Sequence, residues 1–133
     1  MVNKRQYTFS KEERLSWKRY IDLLFEKGQS FVAFPLRVIY LLLDEKKEIP
    51  ASVLISVSKK KFKRAVDRNQ IKRQAREAYR TQKHALAETL VEKEKAMLVA
   101  FLYLDKEIHP FSTMEKAMEK AMKKAINILH AKE

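Results

Sequence analysis

The sequence predicts a single α+β domain whose elements run α-β-β-β-α-β-α, with a central sheet and one strongly basic helix. Three observations predict it. Apolar residues recur at helical spacing near both ends of the chain, and alternate or run continuously in the stretches between. One internal window is crowded with Lys and Arg. With 133 residues, of which 46% are hydrophobic, the chain can bury one core but hardly two.

Residues 1–9 read as a flexible basic arm ahead of a domain over residues 10–133. Ser10 and Glu13 have the spacing of a capping box, in which two side chains satisfy the free N–H groups at a helix start. Leu15, Trp17, Tyr20, Ile21, Leu24 and Phe25 then recur at near-helical intervals up to Gly28, a residue suited to end a helix. From Ser30 to Val57 the pattern turns to strand. Phe31 to Phe34 is short and aromatic and is broken by Pro35; Arg37 to Leu43 is rich in β-branched and aromatic residues; Asp44 to Glu48 makes a charged turn. Beyond Pro50, Val53, Ile55 and Val57 alternate with Ser52, Leu54 and Ser56, which gives a strand with one firmly buried face.

Lys59 to Lys83 has helical composition, and Glu92 to Lys95 reads as a connection. Met97 to Leu104 is an almost unbroken apolar run, hence a central strand buried on both faces, with Phe101 in the core. Ser112 and Glu115 repeat the capping-box spacing. Met114, Ala117, Met118, Ala121, Met122, Ala125 and Leu129 then mark the core face of a last helix.

Composition removes many functions. The absence of cysteine excludes disulfides, thiol nucleophiles and thiolate metal sites. His84, His109 and His130 lack ligand spacing, so no metal site is expected on the protein. Gly28 is the only glycine, and no Gly-rich phosphate loop can be written. No apolar run, Val38 to Leu43 included, approaches the roughly 20 residues of a membrane span. Met1 to Ser10 carries no apolar secretory segment, so a cytoplasmic location is expected.

The formal charge is +12, and it is concentrated. Lys59 to Arg80 holds ten basic residues against Asp67 and Glu77. On a helix Arg68, Lys72, Arg76 and Arg80 fall at i+4 steps, with Asn69 and Arg73 beside them, while Ile71, Ala75, Ala78 and Tyr79 lie toward another side. Like charges at i+4 cost a few tenths of a kcal/mol per pair, a cost that phosphates would offset. A merely solvated face usually mixes signs, and a membrane-surface helix needs bulky apolar flanks, for which Ile71 and Tyr79 are thin. The expected partner is nucleic acid. Phe25, Phe34 and Tyr40 can stack unpaired bases as RNA-binding proteins do; packing in the core is the competing role for Phe25 and Tyr40.

The segment Ile55 to Arg80, ISVSKKKFKRAVDRNQIKRQAREAYR, closely resembles the bacterial ribonuclease P protein subunit. That family has a strand ending in Ser-Val-Ser-Lys-Lys-like residues, then a helix with an Arg-Asn-Arg-x-Lys-Arg-x-x-Arg signature. It is matched here by Arg68, Asn69, Lys72, Arg73 and Arg76, with Gln70 in place of the signature's second Arg. Phe25, Gly28 and Tyr40 also fit, whereas Ile21 stands where an aromatic is common, so no stacking is carried over there. The resemblance implies the same element order with a left-handed β-α-β crossover, and a non-catalytic protein component of a ribonucleoprotein endonuclease. Its partner RNA uses magnesium ions to remove the 5′ leader of precursor tRNA. It implies that Arg68, Asn69, Lys72, Arg73, Arg76 and Arg80 bind the catalytic RNA, and that a cleft between the first helix and the sheet, with Phe25, Tyr40, Lys59 and Lys60, holds the leader. On this reading no catalytic residue or metal belongs to the protein, and neither membrane nor DNA is a partner.

Three rivals stand beside it. One is a general structured-RNA-binding or ribosome-associated protein without a role in cleavage, such as a double-stranded RNA-binding domain; Met97 to Leu104 and the last helix exceed that plan. A nuclease acting through Asp22, Asp44, Asp105 and Glu107 lacks metal-cluster spacing. A DNA-binding regulator would need a helix-turn-helix pattern, and none stands out.

Overall fold

The computed structural model describes residues 18–44 and 48–131. The arm over 1–9, the Ser10–Glu13 pair, Leu15, Trp17 and part of the Asp44–Glu48 turn lie outside the described residues. The elements are α1 (Lys18–Lys27), β1 (Gln29–Ala33), β2 (Leu36–Leu43), β3 (Ala51–Ser56), α2 (Ala65–Gln82), α3 (His84–Glu92), β4 (Ala96–Tyr103) and α4 (Phe111–Ala131).

The sheet runs β1-β2-β4-β3. β4 is antiparallel to β2 and parallel to β3, so Val99 sits between Tyr40 and Val53 in the ladder. One face carries Leu24 of α1 on Leu98 and Ala100, with Ile39, Leu41 and Leu54 around them. On the other face α2, α3 and α4 bury Val38, Tyr40, Val53, Val99, Phe101 and Tyr103. Both faces of β4 are therefore covered, which is why its sequence is apolar without alternation. Phe101 is fully buried, its ring centroid 6.0 Å from that of Tyr79.

Three local expectations are corrected. The helix expected from Lys59 starts at Ala65. Before it the backbone turns: the Lys60 N–H donates to Ser58 Oγ (3.1 Å), the Phe62 N–H donates to the Ser58 carbonyl (3.1 Å), and buried Phe62 packs on Tyr103. Burying that ring overrides the helical propensity of the lysines around it. Second, α3 follows α2 almost without a break, hinged at Lys83, and presses Leu86 and Leu90 into the core. The element order is thus α-β-β-β-α-α-β-α.

Third, α4 begins at Phe111, so Ser112 sits inside its first turn; the Thr113 N–H donating to the Pro110 carbonyl (3.0 Å) closes that turn instead of a capping box. Gly28 ends α1 as expected, and does so without a positive φ. Its N–H donates to the Leu24 carbonyl at 2.8 Å, and a Cβ there would meet that carbonyl and stand 2.9 Å from the Tyr40 carbonyl. Glycine is required for close approach of helix to sheet.

Among the described residues the left-handed one is Glu94 (φ 56°), after α3. The Glu94 N–H donates to the Val91 carbonyl (3.1 Å) and the Lys95 N–H to the Leu90 carbonyl (2.9 Å), the pair of bonds that defines a Schellman stop.

Candidate nucleic-acid interface

α2 positions the interface. Its buried side is Ile71, Ala75, Ala78 and Tyr79, as their spacing predicts. Because a helix turns 100° per residue, each i+4 step advances about 40°, and the row Arg68, Lys72, Arg76, Arg80 spirals from the flank of the core outward. All four are half-buried, whereas Asn69, Gln70 and Arg73 are exposed.

This rotation separates the basic residues by use. Arg68 lies nearest the core, and its Nη1 donates to the Phe62 carbonyl (2.7 Å) and the Lys63 carbonyl (3.0 Å). Arg80 is paired within the chain: its Nη2 stands 2.6 Å from Glu77, an interaction that raises the Arg80 pKa and lowers that of Glu77. Among the described residues no acidic side chain pairs with Lys72 or Arg73. Exposed Asn69 and Arg73, with half-buried Lys72 beside them, are the groups on α2 offered to an incoming phosphate.

The turn before α2 adds a second basic surface. Val57 and Phe62 are buried and anchor it, which leaves Lys59, Lys60 and Lys61 exposed between them and Lys63 exposed just beyond. Lys61 Nζ donates to the Leu104 carbonyl, and the Leu104 N–H donates to the Pro35 carbonyl at 2.8 Å, so the turn is tied to the β1–β2 hairpin end of the sheet. Arg68 joins the two surfaces, since the carbonyls it holds belong to the lysine turn. The structure thus brings Lys59 and Lys60 beside the start of α2.

The aromatic candidates are placed differently. Phe25 is 46% exposed on the outer side of α1, so it is not a core residue. Tyr40 is only 8% exposed and points to the sheet face opposite α1. Its hydroxyl donates to Gln29 Oε1 (3.0 Å), and burial raises its pKa. Gly28 sets the end of α1 against the Tyr40 carbonyl, so both aromatics belong to one corner of the sheet. Lys59 and Lys60 belong to another: Tyr40 to Leu36 is about 13 Å along β2 at roughly 3.3 Å per residue, and β3 lies two strands across. Phe34, 61% exposed at the hairpin end, is the aromatic on the side of the lysine turn.

Sequence reasoning missed one pairing. Phe31 lies with its centroid 6.0 Å from that of Tyr40, and Lys124 of α4 sits over the Phe31 ring, Nζ 5.1 Å from the centroid. The signal was present as Lys116, Lys120 and Lys124 at i+4 steps, behind the more conspicuous Met stripe. Among the described residues no group of three or more His, Asp or Glu is arranged to hold a metal ion, and no helix is long and apolar enough to cross a membrane.

The chain is similar to known proteins along most of its length. The family model described as Ribonuclease P matches residues 9–126. The Ribonuclease P protein component of Porphyromonas gingivalis is 42% identical over 118 residues, 89% of this chain and 86% of that protein. The solved Staphylococcus aureus RNase P protein superposes with a TM-score of 0.63 at 26% identity, covering 85% of this chain and 94% of that one. The Thermotoga maritima RNase P protein shares the fold, with a TM-score of 0.63 over 84% of this chain and 96% of that one, at 24% identity.

Proposed function

This chain belongs to the ribonuclease P protein family, and from that membership we propose that its basic α2 face and lysine turn dock on the catalytic RNA while its aromatic corner holds the 5′ leader of precursor tRNA. It is the protein component of a ribonucleoprotein endonuclease that generates mature tRNA 5′ ends, and it works as a partner of the ribonuclease P RNA. Phosphodiester hydrolysis belongs to the RNA on this reading, and so do the magnesium ions that it uses. The particle is taken to be cytoplasmic, with neither DNA nor membrane as a partner.

The observation that carries the proposal is on the outer side of α2, where Asn69, Lys72 and Arg73 stand together and, among the described residues, no acidic side chain pairs with Lys72 or Arg73. Two RNAs repel each other. A protein of charge +12 bound between them lowers that repulsion and favours substrate binding at modest salt. Arg68 holds the lysine turn and Arg80 is paired with Glu77, so the direct phosphate contacts fall chiefly to Lys72 and Arg73, with Lys59 and Lys60 beside them.

The test is precursor-tRNA cleavage at low magnesium with the RNA alone, the protein alone and the two mixed. The expected result is correct 5′ cleavage strongly stimulated only in the mixture. Tight binding to any structured RNA without stimulation would make the protein a general RNA-binding module, and cleavage by the protein alone would make it a nuclease in its own right.

A further inference from the structure

We propose that the outer face of α4 is an additional single-strand RNA surface, which receives the part of the 5′ leader that has passed the Phe31–Tyr40 pair. This rests on the leader reading above and extends it to residues outside the family signature.

The inner face of α4 is used up by the core, from Met114 to Leu129. Its outer face is basic. Lys116, Lys120 and Lys124 stand at i+4 steps, about 12 Å of helix at 1.5 Å per residue, and repel one another when no anion is near. Lys123 is held by Glu119 at 3.5 Å, but among the described residues no acidic side chain pairs with Lys116, Lys120 or Lys124. A groove of about 500 Å³ runs along this face, lined by Lys120, Lys123, Lys124, Asn127, Ile128 and Ala131. Cations, one amide and an apolar floor are the combination that a nucleotide needs: phosphate, base edge and base face.

The row begins at an aromatic. Lys124 rests over the face of Phe31, itself half-buried against Tyr40. A Lys–aromatic contact at a partly exposed site is worth little, about 0.5–1 kcal/mol, and a base can take the place of the ammonium on the ring. The displaced ammonium then faces the phosphate of that same nucleotide. Stacking at Phe31 and charge along α4 are thereby continuous, which favours a single strand over a duplex, whose bases are already stacked and paired.

The experiment uses the reconstituted ribonucleoprotein with the double variant Lys120→Ala/Lys124→Ala. Its affinity is measured for two precursor tRNAs, one with a leader too short to pass Tyr40 and one several nucleotides longer. We expect a roughly three- to tenfold loss for the long leader only. The plot of log K against log salt should become shallower by about 1.4, two phosphates at 0.7 each for a single strand. The control variant Lys120→Arg/Lys124→Arg should bind like the wild type. Equal loss on both leaders would assign α4 to the catalytic RNA and overturn the proposal; no loss on either would make it a solvated face and overturn it too. If the wild-type protein itself stimulated neither substrate, the leader reading would fall first and the α4 surface with it.

Discussion

The Arg68 guanidinium donates to the Phe62 carbonyl at 2.7 Å, so a signature arginine is spent on fixing the lysine turn that precedes its own helix. A second bond from the same nitrogen, to the Lys63 carbonyl at 3.0 Å, makes this a clamp on two successive peptides. Arg68→Ala is therefore expected to act on stability as well as on RNA binding. Losing a charge-assisted bond at a half-buried site costs about 1–2 kcal/mol, read from denaturant unfolding, and Arg68→Lys should restore only part because it lacks the planar fork. Arg73→Ala touches no such bond. It should leave stability unchanged within about 0.5 kcal/mol and make the salt plot of RNA binding shallower by about 0.7–0.9, one phosphate's worth. An unchanged slope would remove Arg73 from the interface.

Gly28 sets the distance between α1 and the sheet. A Cβ would collide with the Leu24 carbonyl and stand 2.9 Å from the Tyr40 carbonyl, and both are backbone atoms that cannot swing away. Gly28→Ala is expected to destabilise the domain by about 1–3 kcal/mol, the usual cost of overpacking, although Ala is the better helix former. A neutral effect in thermal unfolding would show that α1 can shift without loss.

The fold was legible where burial leaves a periodic trace, and hidden where it does not. β4 announces itself because helices cover both its faces, and the core sides of α2 and α4 because each repeats over several turns. α3 offers only Leu86 and Leu90, two positions, too few to establish a period. The late start of α2 is decided by the burial of Phe62, a tertiary event amid residues of helical composition. The same holds for the site. The basic composition of residues 59–80 is plain, but the inward turn of Arg68 and the pairing of Arg80 depend on angular position and neighbours. The face chosen by Tyr40 depends on register, which alternation cannot label in a strand apolar on both sides.

Glu94 holds a left-handed φ of 56° where a glycine would carry no Cβ strain. Its N–H and that of Lys95 already close the α3 terminus, so the backbone geometry needs no change on substitution. Glu94→Gly is expected to raise stability by about 0.5–1 kcal/mol, the relief of strain exceeding the added freedom of the unfolded chain. An unaltered or lowered melting temperature would mean that the Glu94 side chain contributes more than its backbone costs.

Burial, with Asp105 nearby, pushes the Tyr103 hydroxyl up to about 12 from 10, while it donates to the Glu107 carbonyl at 2.7 Å. The native state therefore holds this proton more tightly than the unfolded chain does. The resulting stabilisation is complete below pH 10 and is lost as pH climbs through about 12. Tyr103→Phe should show a smaller fall in stability across that interval, and a lower stability at neutral pH by about 1 kcal/mol for the lost hydrogen bond. If both proteins lose stability in parallel above pH 10, the proton is not held by the fold.

Phe25 and Tyr40 flank the same end of α1 yet differ in burial, so their variants separate stacking from packing. Phe25 is 46% exposed, and Phe25→Ala should change unfolding free energy by less than about 0.5 kcal/mol. If a base stacks on it, the same variant loses about 1–3 kcal/mol of affinity for leader-bearing precursor tRNA and nothing for mature tRNA. Tyr40 is 8% exposed and joined to Gln29 through its hydroxyl. Tyr40→Ala should cost about 3–5 kcal/mol of stability from the cavity alone, which would mask any effect on binding. Tyr40→Phe is the informative change, since it keeps the ring against Phe31 and removes only the bond to Gln29 Oε1. Leader affinity that survives Tyr40→Phe but not Phe25→Ala would place the stacked base on α1. Loss with Tyr40→Phe alone would place the leader on the opposite face, with Phe31 and Lys124.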